Sequence, residues 1–119
     1  MSKGQDHVAA ALAICQSVAE QLGDSGLPQE ARAEALARLG VAQGTLGEVT
    51  DRFFLRTKLC LPFAARCEEG AREVAEALEA LVSHPDEGAE ARLSNALATL
   101  EKAVAVLEER SAMRGMAIT

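Results

Sequence analysis

Arg52, Arg56, Lys58 and Arg66 stand in one short stretch with all three phenylalanines, Phe53, Phe54 and Phe63, and no acid lies between Arg52 and Cys67. Guanidinium and ammonium groups bind carboxylates or phosphates through charge-assisted hydrogen bonds, and an exposed aromatic ring beside them supplies the apolar anchor of an interface. Adjacent positions on a helix point about 100° apart, so Phe53 and Phe54 do not both enter one core and one of them is expected at the surface. The expected contact set is Arg52, Phe54, Arg56, Lys58, Phe63 and Arg66. A helix starting at Pro62 would add free N–H groups beside these cations. Ordinary structure also accounts for the stretch: rings plug the end of a helical domain, and cations near a helix C-terminus are electrostatically favoured.

Other chemistry has little to stand on. No Glu lies three residues before His7 or His84, so the Glu-x-x-His pairs of di-iron bundles are missing. Cys60 and Cys67 flank Pro62 without the close Cys/His spacing of a zinc site, and Cys15 and Cys67 fall on apolar stripes, where a thiol packs as a small hydrophobe. His7 is expected exposed in a first helical turn, and His84, just before Pro85, as a cap or loop residue. There is no Tyr, there are 2 His, and no glycine-rich phosphate loop follows a strand. No enzyme, metal or cofactor is therefore expected. Glu69, Glu73, Glu76 and Glu79 recur at helical steps, as on a solvated face.

A second oddity is the glycine spacing between residues 40 and 47. Gly40, Gly44 and Gly47 continue a stripe of small residues from Ala33 and Ala37, yet each glycine costs about 0.5–1 kcal/mol relative to Ala inside a helix. Close approach of a neighbouring helix in the same chain is the first expectation. A dimer seam, a peptide groove, or a break in the helix are the others.

These residues need helices to position them. Ala, Leu, Glu, Arg and Gln dominate the 119 residues, aromatics make up 3%, and strand-like alternation is absent, so one all-α domain over residues 1–119 is expected, with 114–119 as a tail. Apolar periodicity predicts four helices. The first spans about Asp6 to Leu22 on Val8, Leu12, Cys15, Ala19 and Leu22, and stops at Gly23-Asp24-Ser25-Gly26. The second starts at Pro28 and runs to about Arg56 on Leu36, Leu39, Ala42, Leu46, Val49 and Phe53. The third starts near Pro62 on Cys67, Ala71, Val74, Leu78 and Leu81, and the fourth uses Leu93, Leu97, Leu100, Val104 and Leu107, fading near Met113. Short connections favour an antiparallel up-down-up-down four-helix bundle of two hairpins. The hairpins echo one another, Val18-Ala19-Glu20-Gln21-Leu22 against Val74-Ala75-Glu76-Ala77-Leu78. A tetratricopeptide repeat does not fit, because Arg52 and Arg56 fall where it needs Ala and an aromatic.

The formal charge of −6 argues against general nucleic-acid binding, which needs a broad positive face. No apolar run approaches the ~20 residues that span a bilayer. The apolar run from Val8 to Cys15 is short for a secretory signal and follows Asp6, and an odd count of 3 cysteines without a close pair suits a reducing compartment; the cytoplasm is expected. The function that fits is a non-enzymatic interaction module, such as an adaptor, assembly subunit or small regulatory inhibitor, whose partner is another protein or a second copy. A bundle binding a small ligand or a metal in its interior is the alternative.

Overall fold

In the computed structural model, which describes residues 2–118 and side chains through Ala112, four helices account for most of the chain. They are α1 (Lys3–Leu22), α2 (Gln29–Val49), α3 (Leu61–Ser83) and α4 (Glu87–Ile118), with two 3-10 turns, Phe53–Arg56 and Lys58–Cys60, between α2 and α3. The expected four-helix bundle of two hairpins is what forms.

α1 packs on α2 and α3, and α4 packs on α3 and α2, so α1/α4 and α2/α3 are the diagonals. Cross-links fix the directions. Gln16 pairs with Gln43, and the Gln5 amide reaches the Thr50 carbonyl, so α1 and α2 are antiparallel. His7 meets Glu68, making α1 and α3 parallel, and Arg38 meets Ser94 and Glu101 while Arg52 meets Ser111, making α2 and α4 parallel. The chain alternates up and down along its length, and its two hairpins lie side by side in the same sense. That is the arrangement in which the echoing segments would be equivalent, and both members of each pair Val18/Val74 and Leu22/Leu78 are buried.

The core follows the predicted stripes on α3 and α4: Cys67, Ala71, Val74, Leu78 and Leu81, then Leu93, Leu97, Leu100, Val104 and Leu107, are all buried. On α1 the buried line is Val8, Ala11, Cys15, Val18 and Leu22, with Leu12 and Ala19 half-buried at its edge. Gly70 lets α3 and α4 close up, since a Cβ there would sit 3.1 Å from the Leu100 Cα.

Three boundaries differ from the sequence expectation. α1 begins at Lys3, not near Asp6, because Ser2 caps it: the Gln5 N–H donates to Ser2 Oγ (3.2 Å) while the Ser2 N–H donates to Gln5 Oε1 (3.2 Å), a complete capping box. α2 ends at Val49, not near Arg56. Extended backbone at Arg52 (φ −72°, ψ 148°) breaks the helical path and turns the chain across the end of the bundle, where Phe54 and Leu55 are both covered, at 4% and 0% exposure. α4 remains helical through Ile118, past the end expected near Met113, and Thr119 at the end of the expected tail lies outside the described residues.

Candidate protein interaction site

The two 3-10 turns close the end of the bundle where α1 and α3 begin. They are tied down from three sides. Ser2 Oγ donates to the Leu55 carbonyl at 2.6 Å, Gln5 Nε2 donates to the Thr50 carbonyl at 2.9 Å, and Arg52 Nη1 donates to Ser111 Oγ at 2.8 Å. Gly4 makes the contact possible, because a Cβ there would lie 2.6 Å from the Leu55 carbonyl oxygen and collide with Cys60 Sγ. The Cys60 thiol donates inward to the Thr57 carbonyl at 3.1 Å. These hydrogen bonds anchor the cluster to the start of α1 and to α4 as a platform.

The residues expected to form the contact set separate on this platform. Arg56, Lys58 and Arg66 are exposed cations, as expected. Phe54 is inside, and Phe53 takes the outward position at 60% exposure, which corrects the choice between the two rings. Phe53 was also expected as the last residue of the α2 stripe, and that role ends with the helix at Val49. Arg52 is half-buried and spends its guanidinium on Ser111, itself only 3% exposed, so it straps the connection to α4 instead of facing outward as a free charge. Phe63 is half-buried, 6.2 Å from Phe54 between ring centroids, with the Arg110 guanidinium 5.3 Å above its own centroid. Leu59, not foreseen as a surface residue, is 57% exposed between Lys58 and Cys60. Its exposure follows from the second 3-10 turn, which helical periodicity does not reveal. The surface thus presents Phe53, Arg56, Lys58 and Leu59, with Arg66 at the start of α3.

The glycine stripe has a different outcome from the one expected first. α2 is continuous through Gly40, Gly44 and Gly47, but a Cβ built on any of them meets nothing within 4 Å. Among the described residues no other helix packs against them. Val41 beside them is 70% exposed, and Leu36, placed in the stripe by periodicity, is 38% exposed while Ala35 takes the buried position. Besides its buried line of Ala35, Leu39, Ala42, Leu46 and Val49, α2 is held by polar contacts to α4, where Arg38 donates from Nη2 to Glu101 Oε1 at 2.6 Å and from Nη1 to Ser94 Oγ at 3.2 Å. The hydrogen bond to Glu101 holds the Arg38 guanidinium even further above neutrality than usual.

Cys15 and Cys67 are buried, and desolvation pushes their thiols up to about 11 and about 12, so neither is a ready nucleophile. Burial also raises Cys60. His7, expected exposed, is half-buried with Nδ1 2.8 Å from Glu68 Oε1. That hydrogen bond, reinforced by Arg72, lowers the Glu68 carboxyl below the usual range. His84 caps α3 and is exposed, as the sequence suggests. Glu69, Glu73, Glu76 and Glu79 are all exposed. Among the described residues no group of three His, Cys, Asp or Glu side chains converges, and no helix is long and apolar enough to cross a membrane.

Compared with family models, with curated proteins and with solved structures, the chain matches none.

Proposed function

We propose that this protein is a non-enzymatic interaction module that recognises another protein at the end of the bundle formed by the 3-10 turns and the start of α3. The observation that supports this most is the pair of large apolar side chains, Phe53 and Leu59, held more than half exposed among Arg56 and Lys58 on a backbone anchored by Ser2, Gln5 and Arg52. Exposing two such groups forgoes about 1.5–3 kcal/mol of burial each, a cost that a partner covering them would recover. Rigid presentation lowers the entropy cost of docking, and the absence of acids from Arg52 to Cys67 favours an acidic partner. Cytoplasmic adaptor, assembly or regulatory roles are the uses that fit such a module.

The test is site-specific photo-crosslinking from position 53 in the native host, followed by the Arg56→Glu/Lys58→Glu variant. Discrete cross-linked proteins that vanish on charge reversal, with unchanged helicity and melting temperature, support this site; association that survives the reversal excludes it.

A second reading is a homodimer. It draws on the exposed Gly40, Gly44 and Gly47 face of α2, the other surface where helical backbone lies bare. Native mass spectrometry of the wild type and of Gly44→Leu distinguishes it: a dimer lost in the variant favours α2 as the seam, and a wild-type monomer at micromolar concentration removes it.

A further inference from the structure

Phe63 and Arg66 belong to the end surface, and they also open a groove that climbs away from it between α3 and α4. The groove has a volume of about 310 Å³. Its floor is Phe63, Gly70, Ala103 and Val106, of which Gly70 is buried and the others are half-buried. Its rims are charged. Arg66, Glu69 and Glu73 stand along α3, and Lys102 stands on α4. All four are exposed, and none is ion-paired among the described residues.

We infer that this groove seats an amphipathic helix of a partner protein, with a lysine- or arginine-bearing flank over Glu69 and Glu73 on the α3 rim and a glutamate- or aspartate-bearing flank over Lys102 on the α4 rim. This rests on the end surface being a docking site and names the kind of segment that continues from it.

Shape and charge both lead there. Residues 63 to 73 of α3 rise about 15 Å at 1.5 Å per residue, a length that a partner helix of three to four turns covers. Two antiparallel helices leave a trough whose small floor residues admit the apolar ridge of a third helix. The groove opens to solvent between exposed charged rims, so a small ligand would stay wet on one side, unlike the 70–90% enclosure of a dedicated pocket. The two rims carry opposite signs where Glu69 and Glu73 face Lys102, the pattern by which flanking charges select a helical partner. A second copy of this chain fits poorly. The middle of α1 from Val8 to Ala19 and of α2 from Leu39 to Gly47 carries no charge to form the flanks, and the outer face of α3 would set glutamate against glutamate.

The probes are three designed 16-residue helical peptides with one leucine/alanine stripe: one with a lysine flank and a glutamate flank, one with both flanks lysine, and one with both flanks glutamate. Fluorescence anisotropy at low salt is expected to rank the mixed peptide at least fivefold above the others. The Arg66→Glu/Lys102→Glu protein is expected to switch its preference to the all-lysine peptide while keeping its helicity. Arg56→Glu/Lys58→Glu leaves the peptide affinities unchanged, because those residues lie outside the groove. Equal affinities, no binding at millimolar peptide, or an unchanged ranking in the Arg66→Glu/Lys102→Glu protein each overturns the inference. A dimer abolished by Lys102→Glu also overturns it, assigning the groove to a second copy. If the mixed peptide binds as expected but photo-crosslinks from position 53 are absent, the groove stands and the end surface falls.

Discussion

α2 and α3 are nearly equal in length, 21 and 23 residues, and are buried to different extents. α3 buries Ala64, Cys67, Gly70, Ala71, Val74, Leu78 and Leu81 against both α1 and α4. α2 buries Ala35, Leu39, Ala42, Leu46 and Val49, and leaves Leu36, Val41 and three glycines to solvent. Glycine shows the contrast most sharply. At Gly4 and Gly70 the missing Cβ is what allows the backbone to meet its neighbour, whereas at Gly40, Gly44 and Gly47 it meets nothing. The glycines of α2 therefore weaken the helix with no packing gain inside the chain, and this is a place where stability has been left unused.

The largest test of this contrast is a pair of leucine truncations. Leu78→Ala in α3 removes a fully buried side chain and is expected to cost about 2–5 kcal/mol, whereas Leu36→Ala in α2 should stay within about 0.5 kcal/mol. Denaturant melts of both variants decide it, and similar losses would show that the outward face of α2 is packed.

Glycine replacement gives the next largest effect, and it should change sign. Gly4→Ala is expected to destabilise by about 1–3 kcal/mol, since the carbonyl of Leu55 and the thiol of Cys60 both stand in the way. Ala at Gly40, Gly44 or Gly47 should stabilise by about 0.5–1 kcal/mol each, because the helix gains propensity and nothing is displaced. Melting temperatures of the four single variants test this. A loss at the α2 positions would mean that something outside the described fold uses that face.

The smallest effect separates the polar clasps. Glu68 ties α3 to His7 of α1, and its carboxyl is held below the ordinary range by that bond first and by Arg72 second. A lowered folded-state pKa favours folding above the unfolded value, near 4.5, and the contribution disappears as pH falls through the lowered value. Glu68→Gln is therefore expected to cost no more than about 1 kcal/mol at neutral pH and progressively less below pH ~4. Urea midpoints at pH 7 and pH 3 measure it; a constant difference would show that Glu68 acts through packing alone.

Legibility in the sequence divided along the same line. The stripes of α3 and α4 were readable because large apolar residues repeat at helical spacing and are buried on both sides, so period and burial coincide. On α2 they did not. Ala, Leu and Gly alternate so closely that periodicity could not choose between Leu36 and Ala35, and it continued the helix through Phe53. The capping box Ser2-Lys3-Gly4-Gln5 was visible as a pattern and would have placed the start of α1 correctly. Leu59 had no such signal, because a 3-10 turn does not mark its outward side chains by spacing.

The sequence by itself determined four helices, two hairpins, the core lines of α3 and α4, and a basic, aromatic segment without acids. Those properties are local: they depend on residue types a few positions apart. Only tertiary structure decided that Phe54 goes in and Phe53 out, that Arg52 is spent on Ser111, and that Gly4, not Gly40, needs to be glycine. Arg52 meets Ser111 and Gly4 meets Leu55 across more than 50 positions, and no spacing along the chain encodes which segment arrives there.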